Sequence, residues 1–93
     1  MSEKETIEFD NRQKYIELGF NIAYYRKHAG LTQEQLAEKV GISRQHMGAI
    51  EAPGLCRPIS MDLLFNLAEV LHIEPYKLLI FREQINPERP RES

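Results

Sequence analysis

The sequence predicts an all-α chain: a compact five-helix bundle in a single domain. Three observations point there. Apolar residues recur at helical spacing in successive segments, and no run alternates with the period of a strand. The first four segments open near a Ser, Thr or Asp and close at a glycine or ahead of a proline. Finally, 93 residues with 42 % hydrophobic and 28 % charged side chains suit one modest soluble core.

The elements follow in order. Residues 1–9 form a flexible acidic N-terminus, and the first helix begins near Asp10, a candidate cap with Gln13 three residues on. Leu18, Ile22, Tyr25 and Ala29 make its buried stripe, and Gly30 stops it. Thr32 and Gln35 have the spacing of a capping box. The Thr32 hydroxyl can accept the amide of residue 35, and the Gln35 side chain can accept the amide of Thr32. The second helix therefore starts there, buries Leu36, Ala37 and Val40, and ends after eight residues at Gly41. Ile42 precedes the next cap, Ser43, and a third helix over Arg44–Glu51 turns Met47 and Ile50 inward. Ser60 caps a fourth helix with the stripe Met61, Leu64, Phe65, Ala68 and Leu71. Pro75 is tolerated at a first helical turn, and Tyr76–Phe81 forms a short fifth helix. The domain spans 10–81. Residues 82–93, with Asn86-Pro87 and Arg89-Pro90 among charges, read as an unstructured tail.

The stretch from Gly30 to Glu51 is thus two short helices folded about a tight turn, with Arg44, Gln45 and His46 heading the second. That is the helix-turn-helix pattern of DNA-binding domains. Neither helix would persist alone, since isolated helices below roughly 12 to 15 residues are marginal in water.

Charge narrows the reading. The net charge is −2 and the isoelectric point about 5.9, so the chain does not bind phosphate wholesale. Its distribution is uneven: residues 1–25 carry 3 basic against 5 acidic side chains, residues 26–57 carry 5 against 3, and residues 58–93 carry 4 against 6. Only the helix-turn-helix section is positive. Non-specific affinity scales with the phosphates neutralised, so one subunit should bind weakly and depend on pairing.

Other chemistries find little support. Cys56 is the lone cysteine, and neither His46 nor His28 nor His72 stands at zinc-ligand spacing from it. No metal, cofactor or small-molecule ligand is expected. No nucleophile is paired with a base and no glycine-rich phosphate loop occurs, so the chain is not expected to be an enzyme. The N-terminus lacks an apolar signal region and no stretch approaches ~20 apolar residues, which sets the expectation of a cytoplasmic protein without a membrane partner.

The chain resembles the phage repressor and Cro type (XRE-like) of helix-turn-helix domain over about Leu18 to Leu79. The matching text is Leu18-Gly19, Ile22 and Arg26, then Gly30-Leu31-Thr32-Gln33-Glu34-Gln35-Leu36-Ala37 and Val40-Gly41-Ile42-Ser43. Ile50-Glu51, Pro58, Leu67-Ala68, Leu71 and Ile73 continue it. A generic helix pair shares the stripes but seldom these strings together. The resemblance implies a lambda-repressor-like five-helix bundle whose third helix enters the major groove.

With Met47 and Ile50 inward, Gln45, Gly48, Ala49 and Ala52 point away and Arg44 projects from the first turn. Arg44, Gln45, Gly48 and Ala49 are the candidate base-reading set. Arg44 can grip guanine O6 and N7, and Gln45 adenine N6 and N7, each such pair worth roughly 1 to 3 kcal/mol of discrimination. Otherwise both would meet phosphate or water. Gly48 in a helix interior costs roughly 1 kcal/mol against alanine, which close approach to DNA or to the second helix would justify. Ala49 offers a methyl suited to a thymine methyl, where the family often has a longer base-reading residue. Thr32 and Ser43, chiefly caps, can also lend hydroxyls to phosphate, and His46 flanks the set as a phosphate contact. The resemblance implies that Gln33 binds phosphate and braces the third helix, and that Arg57 lies in a loop pressed on the backbone. It also implies that Arg26 and Glu51 form an inward ion pair. One departure stands out: after Ile50-Glu51 the chain reads Ala52-Pro53-Gly54 instead of Asn or Arg followed by Gly, so Gly54 is expected to take over the left-handed cap.

Leu63, Val70, Leu78, Leu79, Ile80 and Phe81 exceed what a small core requires and are expected at a homodimer interface, since a twofold protein reads a palindromic operator; the alternative is that Leu78 and Phe81 simply close the bundle. The sequence is therefore read as a transcriptional regulator, a repressor whose partners are double-stranded DNA and a second copy of the chain, with a protein antagonist as a further partner. The competing reading is a protein-interaction module or antitoxin-like partner that keeps the fold with weak or no DNA binding.

Overall fold

The structure is a computed structural model and describes residues 9–81; the expectations for residues 1–8 and 82–93 lie outside these. It contains four α-helices, α1 (Arg12–His28), α2 (Gln33–Val40), α3 (Arg44–Glu51) and α4 (Met61–Leu71), followed by a 3-10 helix (Pro75–Leu79). There is no strand among the described residues.

Local chemistry opens three of the α-helices as the caps predict. The Thr32 hydroxyl accepts from the amide of Gln35 at 3.0 Å, and the Gln35 side chain accepts from the amide of Thr32 at 2.9 Å. Ser43 and Ser60 accept from His46 and Leu63 at 2.9 and 3.0 Å. The start of α1 differs. Asp10 lies outside the helix, where its carboxylate takes the amide of Arg12 at 3.2 Å and grips the Arg12 guanidinium at 2.7 Å. Asn11 becomes the cap position without a side-chain bond. The Arg12 side chain, and then its amide, hold the Asp10 carboxyl well below the usual carboxylate range. Both groups are exposed, so the pair contributes little to stability.

The ends follow one rule with one exception. After α1, α2 and α4 the chain turns through a left-handed residue, Gly30, Gly41 and His72, and the next amide reaches back to a carbonyl in the last turn: Leu31 to Arg26, Ile42 to Ala37 and Ile73 to Ala68. His72 does this at φ 59° without the freedom of glycine. Helix α3 ends instead at Ala52 in extended conformation, followed by a turn closed by Leu55 N–H to Ala52 O at 3.1 Å. Gly54 does not take the left-handed role expected of it. Proline at position 53 removes an amide from that closure, and the positive φ appears farther on, at Cys56 (48°).

Ile22, Leu36, Met47, Leu67 and Leu78 form the solvent-free centre, each from a different element. Helix α2 packs on α3 and α4, α1 packs on α3, and the 3-10 helix closes the bundle against α1 and α4. Three expectations are corrected by this packing. On α4 the buried residues are Leu63, Leu64, Leu67, Ala68 and Leu71, whereas Met61 and Phe65 are exposed. The helix is covered from several sides, which moves its buried arc toward Leu63 and Leu67. Leu63 and Leu78, assigned from sequence to a dimer face, are therefore core residues, 8 % and 0 % exposed. On α1, Leu18 and Ile22 are buried and Tyr25 partly so, but Ala29 lies beyond the helix end and is exposed.

The fifth element is a 3-10 helix and starts at Pro75, one residue before the predicted Tyr76. It stops before Phe81, and Asn21 of α1 donates to the carbonyls of both Leu78 and Ile80 at 2.9 Å, tying the chain around its end to α1. Gly19 sits where α1 crosses α3: a Cβ there would overlap the carbonyl oxygen of Ile50. The crossing exists because no side chain is present. Glu17 is also buried, with the Gln13 amide near it at 3.4 Å.

Candidate nucleic-acid interface

Helix α3 is oriented by a polar network beneath it. Arg26 of α1 donates from Nε to Glu51 Oε2 at 2.7 Å and from Nη2 to Oε1 at 3.0 Å, the two-pronged geometry in which arginine and carboxylate pair best. Arg26 Nη1 donates to the carbonyl of Leu31 at 2.8 Å. The side chains are only 9 % and 5 % exposed. Gln33, in the first turn of α2, donates from Nε2 to Glu51 Oε1 at 2.9 Å. Glu51 thus joins α1, α2 and the last turn of α3 at one carboxylate, while Met47 and Ile50 fasten the same helix to the core. Among the described residues no buried side-chain nitrogen or oxygen lacks a partner.

What remains outward is the opposite face. Arg44 and Gln45 are exposed in the first turn of α3, and His46, Gly48 and Ala49 are half-buried along it. Ser43, Gln45, His46, Gly48, Ala49 and Arg57 border one open concavity of about 430 Å³. Arg44 is not on its wall, and Thr32 is exposed at the start of α2. Gln33 is half-buried, its amide nitrogen bound to Glu51 and its oxygen facing Gly48, where a Cβ would lie 3.6 Å away. That is an ordinary contact. The packing of α2 on α3 therefore does not demand glycine at position 48.

One wall residue was not singled out from sequence. Leu55 reaches the concavity from the turn after α3. A leucine beside Pro53 and Gly54 carries no spacing signal, and only the fold of the turn brings it to the concavity that Ala49 also lines. Of the residues expected at a dimer face, Leu79 and Ile80 are exposed, Val70 and Phe81 are half-buried, and Leu63 and Leu78 are internal. No cluster of His, Cys, Asp and Glu suited to a metal ion occurs among the described residues, and no described helix is long and apolar enough to cross a membrane.

Residues 22–78 match the helix-turn-helix family. The chain belongs to that family, in its Cro and phage repressor branch. This helix-turn-helix protein is 39 % identical over 62 residues to an uncharacterized HTH-type transcriptional regulator of Methanocaldococcus jannaschii, covering 67 % of this chain and 91 % of the relative. Another uncharacterized HTH-type transcriptional regulator, from Methanothermobacter thermautotrophicus, is 44 % identical over 61 residues, with 62 % and 86 % covered. Among solved structures it is similar to the restriction-modification controller protein C.AhdI of Aeromonas hydrophila, with a TM-score of 0.68 and 31 % identity over 75 % of this chain and 99 % of the other. The helix-turn-helix protein is thus placed among DNA-binding transcription regulators and not among enzymes.

Proposed function

We propose that the protein is a sequence-specific repressor that binds palindromic operator DNA through the major groove as a homodimer. The observation that carries this reading is the exposure of Arg44 and Gln45 at the head of a helix whose other face is fastened to the bundle. A helix that reads bases must project without moving, and the Arg26–Glu51–Gln33 network supplies that rigidity. Arg44, Gln45, Gly48 and Ala49 meet base edges in this reading, with Thr32, Gln33, Ser43, His46 and Arg57 on flanking phosphates. Arg44 and Arg57, both exposed, give this side of the bundle positive charge in an otherwise acidic chain. Leu79 and Ile80, with the half-buried Val70 and Phe81, supply apolar surface for a second subunit. Such a bundle represses by occupying DNA that a polymerase needs.

The test is a titration with operator-length duplexes, selected from a random library, at several salt concentrations. Affinity should fall steeply and linearly in log–log form, with a slope near −0.9 per phosphate neutralised. Arg44→Ala should cost about 1 to 3 kcal/mol on the selected duplex, and far less on unrelated sequence. Binding that is absent or independent of salt favours a protein-interaction module instead, whereas an equal loss on every duplex moves Arg44 from base reading to a phosphate contact.

A further inference from the structure

The concavity beside α3 is polar on most of its rim, yet one wall is a leucine. Leu55 is 60 % exposed and lines the same depression as Ala49, Gly48 and Gln45, with Arg57 at the edge. A single exposed leucine is ordinary on a protein surface; what sets this one apart is how firmly it is presented. Its amide closes the turn onto Ala52 at 3.1 Å, and Pro53 restricts the corner. Cys56 follows at φ 48° with its thiol 3.7 Å from the Pro53 carbonyl. The turn therefore aims the side chain at the surface next to α3 instead of folding it into the core.

Ala49 contributes a methyl to that depression and Gly48 contributes no side chain, so the patch between Gln45 and Leu55 offers apolar contact and little hydrogen bonding. In the major groove the base substituent that answers such a patch is the C5-methyl group of thymine. We infer that Leu55 and Ala49 together form a subsite for a thymine C5-methyl in each half of the operator, so that a residue outside the helix-turn-helix contributes to sequence choice. This rests on the reading of α3 as the groove-entering helix and adds to it. Gln45 reads by hydrogen bonds, and the neighbouring position is read by shape and apolar contact, which compensates for the short side chains at positions 48 and 49.

Deoxyuridine in place of thymidine removes the methyl and leaves base pairing intact. In the selected operator, thymines are replaced one at a time, symmetrically in both halves, and the full-length chain is titrated. One position should show a loss of roughly three- to fivefold per half-site, the value of one buried methyl. Leu55→Ala should bind the thymine operator more weakly by a similar factor, become indifferent to deoxyuridine at that position, and keep the wild-type salt slope. Because the side chain is exposed, its urea midpoint should match the wild type. Wild-type indifference to every deoxyuridine, or an unchanged thymine-to-deoxyuridine ratio in Leu55→Ala, overturns the subsite while DNA reading stands. Absence of salt-dependent duplex binding by the wild type overturns the regulator reading and this inference with it.

Discussion

Replacing Glu51 by Gln keeps the shape of the side chain and removes its charge. In the structure the carboxylate accepts from Arg26 Nε, Arg26 Nη2 and Gln33 Nε2, at 2.7, 3.0 and 2.9 Å. A glutamine has only one acceptor oxygen, and its NH₂ would face donors that already point at it. Arg26 would keep the Leu31 carbonyl and at most one bond to the neutral glutamine oxygen, while its charge loses its counter-ion and its side chain stays 9 % exposed. Breaking a buried pair from one side typically costs about 3 to 5 kcal/mol, because the remaining charge is poorly solvated. For a domain of this size, 1 kcal/mol corresponds to roughly 4 to 8 °C in melting temperature, so a loss above about 12 °C is expected. Urea unfolding of the full chain by circular dichroism is the assay, with the midpoint reduced and the slope unchanged. Removing both charges with Arg26→Met and Glu51→Leu should restore most of the loss, since apolar replacements of such pairs are often neutral. A Glu51→Gln loss below about 1 kcal/mol would place the pair with exposed ion pairs and refute the reasoning.

Three further outcomes are expected. Gly19→Ala forces a methyl into the Ile50 carbonyl, which cannot yield as a flexible side chain would; unfolding should show a loss of about 1 to 3 kcal/mol, and a wild-type midpoint would refute the close crossing. Gly48→Ala meets only an ordinary contact with Gln33, so denaturation should show a gain of about 0.5 to 1 kcal/mol, while titration of the selected operator should show weaker binding from a bulkier DNA-facing surface. His72→Gly relieves a left-handed residue and should raise the urea midpoint by the equivalent of about 1 kcal/mol; no gain would mean that the histidine side chain supplies compensating contacts.

Much of the fold was legible because its punctuation is local. A cap needs a hydroxyl and an amide three residues apart, so Thr32, Ser43 and Ser60 could be placed by inspection, as could Gly41 at the end of α2. The inward turn of Met47 and Ile50 and the outward turn of Arg44 and Gln45 follow from helical periodicity on so short an element. Asp10 shows where local reading stops. Its carboxylate does take a first-turn amide, but it also binds the neighbouring guanidinium and stands one residue outside the cap position, which Asn11 occupies.

By itself, then, the chain's order of residues determined where α2 begins and ends, where α3 and α4 begin, and which side of α3 is free, since those depend on partners within one turn. Only the packed bundle decided that Leu63 and Leu78 lie inside while Phe65 lies outside, because an arc of α4 is buried according to which neighbours cover it. It likewise decided that Asn21 holds the carbonyls of Leu78 and Ile80 across 57 and 59 residues, and that Leu55 lines the same concavity as Ala49. Contacts between distant segments depend on how whole elements dock, and no spacing in a linear sequence records that.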